Sequence, residues 1–414
     1  MRADRIASLE TFAIRLPRDQ AAAIGAAGSP TTLAESRFDY RWSTAYPALY
    51  SIHFEAALFK LTTESGVVGW GEAQAPLAPE VACSIADLLL RPAVEGEPFD
   101  GSSSRIRELW SRMYSTMRVR GQTGGFMLDA ISGVDIALWD IAGKMAGRPT
   151  AELLAEGNSR TRIPAYFSGL SGATNNERVD QAREAWAQGF RTFKLFHDRD
   201  EQDLFDLFDH LRDALGREAK IAVDALWRLT EATATPFARK LDQRDALWLE
   251  APLPPELADA HQQLARAVQT PLALGESYRT RYELAPFLER DAVQRLQPDL
   301  GRCGLTEAME WARTAAESSL EITPHISIAM GPQIAAGVHF AAASVPCRLA
   351  EYNPKVFTIA NRFLTDPLVL DGARYRLPEG AGLGISVNED AVRAAAAHAH
   401  SGLVRRVGHD AVGG

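Results

Sequence analysis

The chain has 414 residues, 46% of them hydrophobic and 23% charged, which is enough for two globular domains with large cores. Its net charge of −9 excludes a general nucleic-acid binder, and the absence of an apolar run of about 18 residues argues against a membrane span. Cys83, Cys303 and Cys347 form no CxxC pair, which favours buried thiols in a reducing compartment and hence a cytoplasmic protein.

The first 150 residues predict an α+β module. Residues 5–16 and 53–73 alternate between polar and apolar side chains, which predicts antiparallel strands, and an Ala/Gly/Ser-rich stretch separates them. Helical periodicity follows at 79–92, 104–118 and 126–146. Gly147 and Pro149 predict the end of the last of these helices. Strands followed by helices are typical of an α+β fold.

From about residue 160, short apolar segments alternate with segments of helical periodicity. Eight predicted strands have the sequences RIPAYFSG, FRTFKLF, KIAVDA, ALWLEAP, LALGES, RLQPD, LEITPH and CRLAEYN. This alternation predicts an α/β fold with a (β/α)₈-type barrel, because eight parallel strand–helix units can close on themselves. An open doubly wound sheet is the alternative, but no G-x-G-x-x-G motif follows the first strands. We predict a capping domain at 1–150, completed by about 370–414, and a barrel catalytic domain at 151–369.

A polar side chain occurs at the predicted end of seven consecutive barrel strands. These residues are Lys194, Asp224, Glu250, Glu276, Asp299, His325 and Glu351. Successive members are separated by 23 to 30 residues, which is close to one strand–helix unit. Because the carboxyl ends of barrel strands meet at one face, these side chains are expected to surround a common cavity.

Three of these residues predict a metal site. Asp224, Glu250 and Glu276 are carboxylates at neighbouring strand ends, where their mutual repulsion would raise their pKa values unless a cation lay among them. An all-oxygen ligand set suits a hard cation such as Mg²⁺, and no Cys or His of a structural zinc site accompanies them.

The remaining residues predict acid–base chemistry. Asp299 beside His325 would fix the imidazole tautomer, which suits a general base. Lys194 is a candidate for electrostatic contact with a substrate carboxylate or for a second base. Two roles are open for Glu351, which would either donate a hydrogen bond as a protonated acid or orient a neighbouring group.

These motifs resemble the enolase superfamily, in its mandelate racemase/muconate lactonizing enzyme-like branch, over nearly the whole chain. The N-terminal module carries GVVGWGEA and GVDIALWDIAGKMAGRPTAELL, and the barrel carries FKLF, VDALW, WLEAPLPPE, LGES, QPDLGRCGLTE, ITPHIS and LAEYNP in the family's order. The resemblance implies that Asp224, Glu250 and Glu276 bind Mg²⁺. It also implies a catalytic dyad of Asp299 and His325, an enolate-stabilising Glu351, a substrate-selecting capping domain and a homo-oligomer.

Two positions depart from that pattern. Many members of the branch have Lys-x-Lys at the second strand, where this chain has Lys194-Leu195-Phe196. At the third strand the usual Asp-x-Asn or Asp-x-His is replaced by Asp224-Ala225-Leu226. Polar groups are therefore missing opposite His325, which disfavours racemisation, because racemisation requires an acid or base on both faces of the substrate carbon.

One base is enough for β-elimination of water. The sequence therefore predicts a lyase that dehydrates an acid sugar, an aldonate or aldarate, with His325 as the base. A one-base isomerase, cycloisomerase or racemase/epimerase acting on a carboxylate is the alternative, and a non-catalytic acid-sugar binder is a third reading. His197 is a further candidate acid. Candidate substrate contacts are the loop at 19–47, the stretch at 121–125, and Arg41, Trp42, Tyr46 and Arg120.

Overall fold

The computed structural model of the protein describes residues 4–17, 39–43, 48–155 and 157–396. Its N-terminal part has six strands: β1 (Asp4–Pro17), β2 (Tyr40–Trp42), β3 (Leu49–Ser51), β4 (His53–Thr63), β5 (Val68–Ala73) and β6 (Pro98–Phe99). Four of them form an antiparallel sheet in the order β5-β4-β1-β6, while β2 and β3 form a separate hairpin. Alternation in β1 buries Ile6, Phe12 and Ile14, as expected for a sheet with one covered face.

Helices cover that sheet. They are α1 (Pro79–Ile85), a π-helical turn (Ala86–Leu90), α2 (Arg91–Val94), α3 (Ser103–Arg118), α4 (Gly125–Ala146) and α5 (Thr150–Leu154). A side chain on Gly71 of β5 would lie 1.8 Å from the carbonyl oxygen of Gly133, so α4 approaches the sheet backbone to backbone. Gly147 ends α4 in the left-handed conformation, with φ of 64°, which confirms the predicted stop.

The C-terminal part contains eight parallel strands: β7 (Arg162–Ser168), β8 (Thr192–Phe196), β9 (Lys220–Asp224), β10 (Leu249–Glu250), β11 (Leu272–Leu274), β12 (Arg295–Leu296), β13 (Glu321–Ile322) and β14 (Ala350–Tyr352). Each strand from β7 to β12 pairs with the next, and β14 pairs with β7. Between β13 and β14 an isolated bridge, Ile322 with Cys347, joins the edges. The predicted barrel is confirmed.

Helices follow the barrel strands in the expected alternation. They are α6 (Asn175–Ala187), α7 (Glu201–Leu215), α8 (Glu231–Asp242), α9 (Ala258–Ala267), α10 (Arg281–Leu288), α11 (Leu300–Glu317), α12 (Pro332–Ala343), α13 (Pro354–Ala360) and a 3₁₀ turn (Asn361–Phe363). Inside the barrel, Tyr166, Ala222, Trp248 and Ala273 form a buried cluster, so the barrel is filled beneath its mouth. The mouth is the end where the carboxyl termini of the strands meet.

After residue 363 the chain contacts both parts of the molecule. Strand β15 (Arg374–Arg376) pairs antiparallel with β7 on the barrel. Further on, the N–H of Leu383 donates to Asp140 Oδ1 at 2.8 Å, and Glu389 pairs with Lys60 at 2.9 Å. These contacts bring the segment beyond residue 382 to the N-terminal part, while the domain boundaries at 150 and 369 stay a prediction.

Two further sequence expectations concern the thiols and the membrane. Cys83, Cys303 and Cys347 are all free and buried, as predicted. Among the described helices, none combines the length and apolar character that crossing a bilayer requires.

His339 in α12 joins three segments of the chain. Its Nδ1 accepts the N–H of Ala151 in α5 at 3.0 Å, and its Nε2 lies 3.0 Å from the carbonyl oxygen of Leu383. The ring is fully buried, and burial lowers its pKa to about 4. The folded protein therefore keeps His339 neutral under conditions in which an exposed histidine, with a pKa near 6.5, becomes charged.

We expect this histidine to make stability depend on pH. Between pH 7 and pH 5 the unfolded chain gains a proton that folded His339 refuses, so the wild type should lose about 2 kcal/mol through this residue. His339→Leu should be less stable at pH 7 but should lose correspondingly less on acidification. Urea unfolding at both pH values measures the difference, with exposed His210→Leu as the control. Identical pH dependence of wild type and His339→Leu would contradict the prediction.

Candidate active site

The structure brings all seven predicted strand-end residues together at the barrel mouth. Each lies within or just beyond its strand, and none of the seven residues is more than 8% exposed. Strand register explains the convergence, because Asp224 is paired with Glu250 on the neighbouring strand and Asp299 with His325. Regular spacing in the sequence was therefore a sufficient signal for their location, while their chemical roles stay a prediction.

The three predicted metal ligands form a buried concentration of negative charge. Burial and the neighbouring Glu250 carboxylate raise the pKa of Asp224 well above its usual range. A divalent cation among these oxygens would offset that repulsion, so the donor set fits Mg²⁺. One donor atom from each of Glu250, Glu276 and His325 lies within 4.8 Å of the other two. This set of possible ligands contains His325 instead of Asp224, which the sequence predicted as the third ligand.

Lys194 supplies a positive charge to this cluster. Its Nζ lies 2.6 Å from Glu250 Oε1, 2.9 Å from Glu351 Oε1 and 3.8 Å from Asp224 Oδ2. Burial disfavours the ammonium, but the Glu250 and Glu351 carboxylates outweigh that effect and raise the pKa of Lys194 well above its usual range. Lys194 is therefore a held cation in this arrangement, which favours the electrostatic role over the role of a second base.

Asp299 orients His325. Its Oδ2 lies 2.8 Å from His325 Nδ1, and its Oδ1 accepts the N–H of Gly301 and the amide of Gln333, both at 2.9 Å. The other ring nitrogen, Nε2, contacts Glu276. Burial opposes protonation of the ring, but Glu276 and Asp299 raise the pKa of His325 well above its usual range. The geometry leaves Nε2 as the nitrogen that faces the carboxylate cluster.

Glu351 is bound on both oxygens. Oε1 pairs with Lys194, and Oε2 accepts the N–H of Ile326 at 2.9 Å. Burial alone would raise its pKa, but Lys194 and His325 lower the pKa of Glu351 below its usual value. Of the two open roles, this arrangement favours the ionised carboxylate that orients its neighbours.

A cavity of about 410 Å³ lies above these residues, between the barrel mouth and the N-terminal part. The N-terminal part contributes Tyr50, Ser51 and Phe54 to its wall. The barrel contributes apolar residues at the two positions that depart from the family pattern, Phe196 and Leu226. Leu226 adopts a left-handed backbone with φ of 53°, a conformation that costs energy in a branched residue and is common at functional sites.

Several predicted substrate contacts do not line the cavity. Trp42 is 73% exposed, and Arg120 lies on the surface together with the stretch at 121–125. His197 is buried against Phe237, with ring centroids 5.1 Å apart, and it likewise lies outside the lining. Arg41 is on β2 and is not among the lining residues, whereas Tyr46 and most of the loop at 19–47 fall outside the described residues.

Sequence reasoning missed several polar residues of the cavity wall, among them Arg302, Asn353 and Lys355. Arg302 donates from Nη1 to the carbonyl oxygen of Glu276 at 2.9 Å and from Nε to Gln74 of the N-terminal part. The available signal was position, since each residue follows a strand-end residue by two to four places. Residues that follow a predicted strand end this closely are therefore further candidates for the site.

A buried carboxylate connects the N-terminal part to the dyad. Glu72 of β5 accepts the N–H groups of Met330 at 2.6 Å and Gln333 at 2.9 Å. Gln333 in turn donates its side-chain amide to Asp299. The position of Asp299 therefore depends on a chain of hydrogen bonds that begins in the antiparallel sheet.

Comparison with known proteins identifies the family. A model described as the mandelate racemase/muconate lactonizing enzyme N-terminal domain matches residues 39–155, and an enolase C-terminal domain-like model matches residues 177–391. The chain belongs to the enolase superfamily, in its mandelate racemase/muconate lactonizing enzyme branch, as the sequence motifs predicted.

Relatives in this family include enzymes with different reactions. A D-galactarolactone cycloisomerase from Agrobacterium fabrum is 30% identical over 87% of this chain and 96% of its own length. A D-galactonate dehydratase from Xanthomonas oryzae pv. oryzae is 30% identical over 81% of this chain and 90% of its own. A crystal structure of an enolase superfamily member from Agrobacterium tumefaciens superimposes with a TM-score of 0.87 at 30% identity, covering 95% of this chain and 98% of that one.

We expect Gln333→Leu to destabilise the protein by about 1 to 3 kcal/mol, because it removes one of the two donors to a buried, charged oxygen of Asp299. Gln202→Leu is a matched control, since that amide donates to Asp206 on the surface, where its loss should cost less than about 0.5 kcal/mol. Urea unfolding followed by tryptophan fluorescence measures both. Equal losses in the two variants would show that Gln333 does not support Asp299.

Proposed function

We propose that the protein is a Mg²⁺-dependent lyase that removes the proton α to the carboxylate of an acid sugar and eliminates water, as an aldonate or aldarate dehydratase. The carrying observation is the Asp299–His325 pair, which contacts the buried carboxylate cluster at a cavity whose wall is apolar at Phe196 and Leu226. Membership of the enolase superfamily and the dehydratase among the relatives support the proposal.

In this proposal Asp224, Glu250 and Glu276 hold the cation. Bound Mg²⁺ would supply Lewis-acid stabilisation of the negative charge that develops on the substrate carboxylate when the α-proton leaves. The chain contributes a second positive charge, because Lys194 lies against Glu250 and Glu351 at the same mouth. Low exposure of these side chains strengthens their interaction with a charge that appears in the cavity.

His325 acts as the base through Nε2. Asp299 accepts the hydrogen of Nδ1, which leaves Nε2 to take up or release a proton. The Glu276 carboxylate that raises the pKa of His325 would be engaged by the cation, which would favour the neutral ring with its Nε2 lone pair towards the cavity. Nε2 takes the α-proton, and the C–H electron pair becomes the C=C bond as the β-hydroxyl leaves. The imidazolium returns its proton to that hydroxyl, which departs as water, and the resulting enol tautomerises to a 2-keto-3-deoxy acid.

The opposite side of the cavity supports a single base. Phe196 and Leu226 carry no titratable group, and Lys194 is held by two carboxylates with its pKa raised. Racemisation needs an acid or base on both faces of one carbon. The described lining residues at positions 194, 196 and 226 therefore offer no second group for that proton transfer.

A one-base cycloisomerase is the second candidate function. The specific observation in its favour is the D-galactarolactone cycloisomerase, which covers 87% of this chain at 30% identity. The same His325 and carboxylate cluster would serve such an isomerase, since it also moves a proton α to a carboxylate. A cytoplasmic location and a homo-oligomeric state stay predictions from the sequence.

We expect Mg²⁺ to stabilise the folded protein, by about 2.7 kcal/mol at a free concentration a hundredfold above its Kd. Asp224→Asn should reduce this stabilisation, because it removes one anionic ligand, whereas Asp213→Asn on the exposed face of α7 should not. Thermal unfolding with and without Mg²⁺ measures the effect independently of activity. A wild-type melting temperature that ignores Mg²⁺ would contradict the proposed ligand set.

We expect His325→Asn to lower turnover of the acid-sugar substrate by about 10²- to 10⁴-fold, because the general base is lost, while the Mg²⁺ effect on stability remains. A keto-acid colour test across aldonates and aldarates measures dehydration, with His210→Asn as the control. In D₂O, deuterium at the α-carbon without keto acid would instead identify the isomerase. No turnover and no α-proton exchange with any of these acids would reject both candidates and leave the acid-sugar binder.

A further inference from the structure

Lys355 lies in the wall of the cavity, four residues beyond Glu351. It is in the first turn of α13, where Asn353 Oδ1 accepts the backbone N–H of Lys355 at 3.1 Å and that of Val356 at 3.3 Å. This cap fixes the start of the short helix and with it the position from which the lysine side chain departs. Lys355 is therefore placed by the fold at the rim of the site.

The ammonium of Lys355 has no ion-pair partner within 4 Å among residues 4–17, 39–43, 48–155 and 157–396. Asp198, which also lines the cavity, pairs with Arg178 at 3.4 Å, and Asp203 lies 3.6 Å from the same guanidinium. Burial and the positive charge of Arg178 lower the pKa of Lys355 to about 8. Near neutral pH the side chain is thus still mostly charged.

The other cationic side chains of the cavity wall are already engaged. Lys194 is bound by Glu250 and Glu351, and Arg302 donates to Gln74 and to the carbonyl oxygen of Glu276. Arg302 has only neutral partners in these bonds, but it lies against the backbone of Glu276. A second negative group distant from the proposed metal ligands would therefore find its positive partner at Lys355. An anion bound there would also offset the repulsion between Lys355 and Arg178.

We infer that Lys355 binds a second anionic group of the substrate, remote from the carboxylate at Asp224, Glu250 and Glu276, so that the substrate is a dicarboxylic sugar acid. This inference rests on the proposed function, because that function places the first carboxylate at the metal ligands. A cavity of about 410 Å³ falls within the range of small-ligand sites and accommodates a chain with a carboxylate at each end. Lys355 then selects aldarates over aldonates.

The test compares two acids that differ at one carbon, galactarate with two carboxylates and galactonate with one. Binding is measured by calorimetry with Mg²⁺ in the His325→Asn background, which prevents turnover. Adding Lys355→Met should raise the Kd of galactarate by about 10- to 100-fold, because it removes the charged contact with the second carboxylate. The Kd of galactonate, which has one carboxylate, should change by less than about twofold on the same substitution. Lys355→Arg should recover part of the galactarate affinity.

Lys240→Met is the control, because Lys240 is a surface lysine of α8 paired with Glu201 and should leave both affinities unchanged. With His325 present, Lys355→Met should raise KM for galactarate more than it lowers kcat. Equal weakening of both acids, or no preference of the parent for galactarate, would overturn the inference. A lower kcat with unchanged affinity would overturn it as well, by assigning Lys355 to proton transfer. Diacid-selective binding without any turnover would uphold Lys355 while rejecting the proposed reaction.

Discussion

The arrangement of the site depends on a concentration of buried carboxylates at the barrel mouth. Parallel strand register places Asp224 beside Glu250, and the adjacent strand ends add further acids within a space that water scarcely enters. Such charges are costly unless cations accompany them. Lys194 and His325 provide that compensation within the chain, and each does so by direct contact with an acid of the cluster. The chemistry that we propose uses this same demand for positive charge.

The antiparallel sheet covers the active site and also supports residues within it. Glu72 holds the backbone at Met330 and Gln333, and Gln333 holds Asp299. Gln74, two residues further along, contacts Arg302 beside Glu276. One short segment thus touches both the support of the dyad and the support of a proposed metal ligand. Movements of the N-terminal part relative to the barrel would therefore reach both halves of the reaction centre.

The sequence could predict the positions of residues where the strand–helix pattern repeats. Strand–helix units repeat along the barrel, so one residue at each strand end could be located by counting, and Asp299 and His325 meet as expected. Loops do not repeat, and their path decides which side chains point inwards. Arg120 therefore proved to be a surface residue, whereas Lys355, which was not singled out, lines the cavity. The contact of His325 with a proposed metal ligand likewise needed the three-dimensional structure, because spacing carries no information on side-chain direction.

The backbone bridge between the seventh and eighth strands of the barrel bears on how this site can acquire new specificities. β13 and β14 meet through an isolated backbone pair, and the hydrogen bond from Ile326 to Glu351 spans the same gap at the mouth. Glu351 thus helps to close the barrel, and it also pairs with Lys194. A substitution there would change the closure of the barrel along with its electrostatics. New specificities can arise with less structural risk in the first turn of α13, which contains Lys355, than at the strand end itself.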